Sequence, residues 1–466
     1  MKLFPHQEDV LKQTEGRNLV AYYLDMGLGK TFVGSEKMMT LGKSFNLVVC
    51  QKSKVQDWID HFNQNYSEHP YCTEVFDLTN KKQMERFMQI VEGWEEFMEM
   101  HEDFRGEPCE PYLVDNPDPC QYIGVINYDL IFRRKDLLIL ENFTLLLDES
   151  SLIQNEKAER TKFILKMHPK NVILLSGTPT SGKYENLWSQ IQLLGWNISL
   201  KLFQRQYVNW KKIDVADVKI GVVDKDDPYK NVDRLKTKLR EHGAVFLKTE
   251  ECFDLPEQTF IDIKVDSSKE YRKFKKDKFI KIQRDWAVEN ACDPNDIGER
   301  ELAGDTTLTK MLYERQLCGM YSDEKWQALE DLIESTQDRL IIFYNFNDEL
   351  MLLKELAENL ERPVSEVNGQ TKDLTNYEEQ SNSITLIQYQ AGSMGLNLQK
   401  ANKIVYFTLP LMSELFEQSK KRIHRIGQKQ PCFYYTLTVK NSIEESIKRV
   451  LDMRKDYTNE LFEENC

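Results

Sequence analysis

The chain has 466 residues, more than one compact core accommodates, so two or three domains of ordinary size are expected. A hydrophobic share of 41% and a charged share of 30% place it among globular proteins, and no apolar run is long enough to cross a bilayer. The formal charge of -14 excludes a general attraction to nucleic acid, so binding of that kind needs local basic surface.

Met1 leads almost at once into Leu3-Phe4-Pro5-His6-Gln7 with no charged-then-apolar leader, which predicts an intracellular protein, cytoplasmic or nucleoid-associated, without a membrane partner. The nine cysteines are scattered, never as C-x-x-C and never beside a histidine at ligand spacing. Free thiols are expected, and a zinc site is not.

The apolar run Leu19-Val20-Ala21 reads as a strand, followed by Tyr23-Leu24-Asp25-Met26-Gly27-Leu28-Gly29-Lys30-Thr31 and a helix-compatible segment. A strand, a glycine turn with Gly27 and Gly29, then Lys30-Thr31 at a helix start is the arrangement that holds a nucleoside triphosphate. Turn amides and the positive helix end meet the phosphates, Lys30 adds a charge, and the Thr31 hydroxyl suits Mg2+. The strict eight-residue pattern wants glycine at position 24, where leucine stands. The competing reading is a glycine turn that ends a buried strand beside a surface lysine.

Further strands are predicted at Leu47 to Cys50, Tyr122 to Ile126, Leu145 to Leu147 and Val172 to Leu175, alternating with helical segments. That alternation predicts an α/β fold, a parallel sheet covered by helices with ligands at the carboxyl ends of its strands. Two of those ends carry chemistry, Asp148-Glu149 and Ser176-Gly177-Thr178-Pro179. Beside a phosphate loop, Asp148 can hold Mg2+ and Glu149 can orient and deprotonate water; the alternative is that the pair caps the next helix. Glu185 to Trp196 reads as an amphipathic helix stopped by Gly195. The first domain is expected to end near residue 250.

Residues 91–120 carry ten acids against Arg105 alone, which reads as a solvated insertion in the first domain. Residues 268–284 carry eight bases against Glu270 and Asp277, inside an insertion expected to be helical over about 268–320. A solvated helix face and a phosphate-contacting helix explain that block equally well. A second alternating pattern covers 251–466, with strands at Thr259 to Val265, Leu340 to Phe343, Ile384 to Tyr389, Lys403 to Phe407 and Cys432 to Val439 and a helix at Asp348 to Leu360. Two α/β units with one phosphate loop suggest a motor whose nucleotide lies between two lobes. Gln418, Arg422 and Arg425 fall at i, i+4 and i+7, one stripe if the segment is helical, with His424 pointing elsewhere.

In this order, the pieces resemble the Swi/Snf-type DNA translocase family of helicase superfamily two, over nearly the whole chain. Leu3 to Gln7 is similar to the adenine-reading glutamine motif, Asp25 to Thr31 to motif I, and Asn46 to Cys50 with Trp58 and Phe62 to motif Ia. Asp148-Glu149-Ser150-Ser151 stands at motif II, and Leu175 to Pro179 with Glu185-Asn186-Leu187-Trp188 at motif III. Leu247-Lys248 and Leu255-Pro256 resemble the passage between lobes. Ile341 to Tyr344, Ala391 to Leu398 and Gln418 to Gln428 resemble motifs IV, V and VI. Ser151 stands where the family has histidine, and Gln51 where it has proline.

The resemblance implies two tandem RecA-like lobes, ATP and Mg2+ as cofactors, and double-stranded DNA as partner; a bare two-lobe chain suggests either a targeting protein as a further partner or a simple role on naked DNA. It implies Gln7 at the adenine, Lys30 and Thr31 at the phosphates and metal, and Asp148 and Glu149 as metal holder and base. It also implies Arg422 and Arg425 at the γ-phosphate, Ser176 and Thr178 in coupling, and Gly395, Asn397 and Gln418 between nucleotide and track. A minimal, phage- or bacterial-like member is expected. A strand-separating helicase and an ATP-switched scaffold remain open.

Overall fold

The computed structural model describes residues 2–67, 73–102, 121–215, 218–224, 226–283, 299–304, 306–392 and 396–462. Two compact units are present, residues 1–252 with 456–466 and residues 253–455.

The first unit is built on β1 (Leu19–Leu24), β2 (Phe45–Cys50), β3 (Thr73–Asp77), β4 (Gln121–Asn127), β5 (Thr144–Asp148) and β6 (Asn171–Ser176). A small hairpin of β7 (Trp210–Val215) and β8 (Val218–Val223) stands apart, and β9 (Ala244–Leu247) returns to the sheet. The order is β3-β4-β2-β5-β6-β1-β9, parallel throughout. A parallel sheet is covered on both faces, so its central strands read as unbroken apolar runs. Every residue of β2 and β6 is buried, as that rule requires.

The two outermost strands are the ones that periodicity does not reveal. β3 reads TEVFD and alternates weakly, while β9 has four residues behind Gly243. Gly243 sits at φ +86°, and a Cβ there would lie 2.3 Å from the Leu19 carbonyl oxygen, so only glycine admits the strand at this point. The helix expected over Glu185 to Trp196 is shorter, a 3-10 turn Tyr184–Leu187 and a helix Trp188–Leu193. Asn186 is drawn off the helical path, its side-chain amide donating to the Thr180 carbonyl and to Gln154 Oε1. Gly195 at φ +77° does end the helix, with the Trp196 amide reaching back to the Ile191 carbonyl in a Schellman closure. Of the acidic stretch 91–120, the helix Lys81–Glu102 takes the first part, and 103–120 lies outside the described residues.

The second unit holds β10 (Gln258–Val265), a hairpin of β11 (Phe279–Gln283) and β12 (Glu299–Ala303), then β13 (Leu340–Tyr344), β14 (Val364–Val367), β15 (Lys372–Asp373), β16 (Ile384–Gln388), β17 (Lys403–Tyr406) and β18 (Cys432–Val439). Its sheet runs β10-β18-β17-β13-β16-β14-β15, parallel except for the edge strand β15. The basic insertion is not wholly helical. Between the helices Lys269–Asp277 and Thr307–Met320 stands the β11–β12 hairpin, because Ile280 and Leu302 pair across it and are both buried in one cluster with Tyr271 and Phe274. The helix expected at Asp348 to Leu360 is Asn347–Asn359.

A fully enclosed ion pair stands among the described residues of this unit. Lys325 Nζ donates to Glu444 Oε1 at 2.6 Å with both side chains almost inaccessible, and Glu444 Oε2 accepts from the Val439 amide at the end of β18. Removing one partner strands a buried charge. Lys325→Met should lower the unfolding free energy by about 3–5 kcal/mol, and Lys325→Met with Glu444→Leu should recover much of it. Urea titration of the three proteins checks this; equal stability of the single variant and the parent would contradict it.

Candidate nucleotide site

β1 ends at Leu24, and the chain turns through Gly27 at φ +90° and Gly29 at φ +76° into the helix Lys30–Leu41, α2 once the helix Pro5–Gln13 is taken as α1. Gly29 is the N-cap, and glycine offers no side-chain acceptor to the first-turn amides, which leaves them to a ligand. Lys30 Nζ lies under the turn, donating to the carbonyls of Leu24 at 3.1 Å and Asp25 at 3.4 Å. Thr31 is partly exposed on the same first turn. Asp25 is fastened to the neighbouring edge strand, where Thr249, just past β9, donates its hydroxyl to Asp25 Oδ2 at 3.1 Å.

Gln7 projects from α1 onto this turn. Its Nε2 donates to the Leu28 carbonyl at 3.1 Å and its Oε1 accepts from the Phe4 amide at 2.9 Å. A Cβ on Gly29 would fall 2.1 Å from Gln7 Nε2, so the glutamine lies directly against the phosphate loop. A primary amide has two donors and two lone pairs, so Gln7 keeps one of each for a base edge.

Beside β1 run β6 and β5, with Tyr23 level with Ser176 and Asp148 level with Leu175. Asp148 Oδ2 accepts from the Trp58 indole N–H at 2.9 Å, and the Tyr128 hydroxyl donates to the Asp148 carbonyl at 2.9 Å. Burial raises the Asp148 carboxyl, while the Trp58 hydrogen bond and the charges of Lys30 and Lys54 pull it down. Glu149 adopts φ +52°, a left-handed geometry that costs a non-glycine residue about 1 kcal/mol or more. Its side chain caps nothing in the following 3-10 turn, Ser150–Ile153, and instead accepts from Ser176 Oγ at 3.5 Å. The capping alternative is thereby removed. Ser176 Oγ also accepts from the Thr178 amide at 3.1 Å, and Thr178 Oγ1 is buried without a hydrogen-bond partner among the described residues. A Cβ on Gly177 would stand 3.4 Å from Lys30 Nζ, so this turn packs against the loop lysine. Lys30, Asp148, Glu149, Ser176 and Thr178 therefore share one edge of the sheet.

Two contributors are not legible as site residues in the sequence. Gln190, inaccessible and on a helix read as amphipathic, accepts from Ser150 Oγ at 2.8 Å and Tyr23 OH at 3.0 Å, and donates to the Pro179 carbonyl at 2.7 Å. It ties β1 to the turns after β5 and β6, and it does so through Ser150, the neighbour of Ser151. Trp58 stands in the helix Val55–Tyr66, α3, whose next turn presents His61 to Ser35 of α2 at 2.9 Å. α3 thus braces both the phosphate-loop helix and Asp148.

In the second unit, the helix bearing Gln418 ends at Lys420, and residues 421–428 form turns. The expected single helical stripe is corrected on this point, because Arg422 bonds to the Ser419 carbonyl three residues back and gives its own carbonyl to the Leu398 amide. The two arginines still converge, both Nη1 atoms reaching the Leu396 carbonyl at 3.4 and 3.5 Å. Arg422 is buried, Arg425 is partly exposed, and burial lowers the Arg425 guanidinium. Gln418 is buried and donates to Glu414, His424 turns away to the Pro256 carbonyl, and Asn397 is exposed. Gly395 lies outside the described residues.

The residues fit a nucleoside triphosphate with a divalent cation. Among the described residues no group of three or more His, Cys, Asp or Glu could hold a metal alone. A hard cation here would take most of its ligands from phosphate oxygens and water, with Thr31 and Asp148 at hand. No helix among the described residues is long and apolar enough to cross a membrane.

Residues 23–321 match the SNF2-related domain, and residues 324–427 match the helicase conserved C-terminal domain. The ISWI chromatin-remodeling complex ATPase ISW1 of Saccharomyces cerevisiae is 22% identical over 91% of this chain and 37% of its own length. The ATP-dependent helicase YqhH of Bacillus subtilis is 22% identical over 68% of this chain and 59% of its own. A solved Sulfolobus solfataricus SWI2/SNF2 ATPase core in complex with dsDNA aligns with a TM-score of 0.41 at 18% identity, covering 98% of this chain and 92% of that one. The chain spans about a third of the length of the curated relatives it matches first.

Gln190→Leu leaves the Ser150 and Tyr23 hydroxyls and the Pro179 carbonyl without their buried partner. A loss of about 2–4 kcal/mol in unfolding free energy is expected, read by urea denaturation. A change below about 0.5 kcal/mol, the range of ordinary surface substitutions, would show that the cluster does not hold the three segments together.

Proposed function

This chain belongs to the SNF2-related family, with its two parallel-sheet units as tandem RecA-like lobes, and from that footing we propose that it is an ATPase that moves along double-stranded DNA. Residues 1–250 serve as the ATP-binding lobe and 251–466 as the second lobe. The observation that carries the reading is the set of strand ends at one level. The glycine turn with Lys30 stands beside Asp148 and Glu149, and Ser176 bonds to Glu149 from the next strand.

Gln7 reads the adenine with its remaining donor and acceptor, while the first-turn amides, Lys30 and Thr31 hold the phosphates. A bound Mg2+ would supply Lewis-acid charge to the phosphates. Asp148, held by the Trp58 indole, would be the carboxylate that holds the cation together with Thr31. Glu149 orients the attacking water and takes its proton, and Ser176 holds that carboxylate in place. In the ATP-loaded state Arg422 and Arg425 act on the γ-phosphate, where a positioned guanidinium contributes about three to five orders of magnitude. Thr178, Gln418, Asn397 and Gly395 transmit the nucleotide state to the DNA track.

Phosphate release measured in parallel with duplex DNA, single-stranded DNA, RNA and no nucleic acid tests the reading. The duplex is expected to give the largest stimulation, and a forked duplex should keep its labelled strand. A rate indifferent to nucleic acid would overturn the reading, and ATP-dependent release of the strand would replace translocation with unwinding. Glu149→Gln should bind ATP with near-parental affinity while turnover falls by about 10²-fold or more; retained turnover would place the base elsewhere.

A further inference from the structure

The second unit carries a basic cleft that none of the assigned motifs uses. β10 and β18 are parallel neighbours, and their last residues, Val265 and Val439, are in register. The chain segments leaving those two ends, Asp266-Ser267 and Lys440-Asn441, meet the helix Lys269–Asp277 around a cleft of about 450 Å³. Its lining includes four bases, Arg272, Lys275, Lys276 and Lys440, against one acid, Asp266.

The cleft has a rigid floor and partly engaged charges. Tyr271 and Phe274 anchor the helix in the core, and the Tyr271 hydroxyl accepts from the Ile443 amide at 2.8 Å. Lys440 donates to Asp266 at 2.7 Å and Lys275 to the Asn441 carbonyl at 2.7 Å. An ammonium carries three protons, so both lysines retain donors after these bonds. Arg272 and Lys276 stand exposed on the rim. Glu324 and Glu445 are occupied by the Asp266 and Asn441 amides on the same two segments, and the exposed Arg272, Lys275 and Lys276 offer charges that a polyanion can neutralise with release of its counterions.

Position indicates which anion. Ligands of open α/β sheets meet the carboxyl ends of the strands, and β18, β17, β13 and β16 stand in that order along this sheet. The loop after β16 carries exposed Asn397, assigned above to the DNA track. Three strand spacings, roughly 14 Å, separate β16 from β18 along the same edge. We propose that the cleft formed by Arg272, Lys275, Lys276 and Lys440 binds a backbone phosphoryl group of the duplex, extending the track along the carboxyl edge of the second sheet.

This inference rests on the DNA-translocase reading, and the experiment separates the two. Duplex affinity is measured over a salt series for the parent, for Arg272→Gln with Lys276→Gln, and for the charge-preserving Arg272→Lys with Lys276→Arg. Each phosphate contact contributes about -0.9 to the log–log salt slope, so the double glutamine variant should be shallower by up to about one. The charge-preserving variant should keep the parental slope. Unchanged slope in the glutamine variant, with intact stimulation of the parent by duplex, overturns this inference alone; absence of duplex binding in the parent overturns both. Titration of inorganic pyrophosphate provides the second arm. Binding of pyrophosphate that the glutamine substitutions abolish, without any change in duplex slope, would identify a free-phosphate site and contradict the duplex assignment.

Discussion

The register of three parallel strands governs the chemistry available to the first unit. Because β1 and β6 align Tyr23 with Ser176, and β5 and β6 align Asp148 with Leu175, the phosphate turn, the acidic pair and the Ser-Gly-Thr turn leave the sheet at one level. A slip by one residue would send each side chain to the opposite face. The protein secures the arrangement twice. Gln190 joins Tyr23, Ser150 and Pro179 below the edge, and Trp58 holds Asp148 from the side. Both are rigid, buried contacts whose loss would displace functional groups without touching them.

Glu149 shows how strain and positioning meet. Its left-handed backbone turns the carboxylate off the path it would follow as a helix cap, and Ser176 receives it. Left-handed geometry in a glutamate is tolerated only where the surroundings over-determine it, and here the strand end, Tyr128 and the 3-10 turn do so. The loop lysine is held in an analogous way by the Leu24 and Asp25 carbonyls, bonds that an ammonium can trade for phosphate oxygens at little cost.

Most of the sheet architecture was legible because buried parallel strands read as apolar runs. β2, β6, β13 and β16 announce themselves in that way, and the glycine-rich turn and Asp148-Glu149 are short motifs with a physical function. What escaped the sequence has specific causes. β3 and β9 are edge strands, one polar and the other only four residues long. The β11–β12 hairpin lies in a segment whose charge suggests helix, and its stabilising pair, Ile280 with Leu302, is separated by more than twenty residues. Gln190 is one polar residue among several in an amphipathic helix, and its partners lie 11, 40 and 167 residues away, so no helical spacing rule could find it. Gln418, Arg422 and Arg425 follow helical spacing although the helix stops at Lys420, and the arginines converge through the Leu396 carbonyl instead.

The proposed action of Arg425 on the γ-phosphate is the reading on which the mechanism turns, and single-turnover cleavage of bound ATP by Arg425→Ala tests it most directly. ATP affinity close to the parent's with cleavage slowed by about 10³-fold or more is the predicted result. Cleavage at the parental rate would contradict it, since the γ-phosphate would then be served without Arg425.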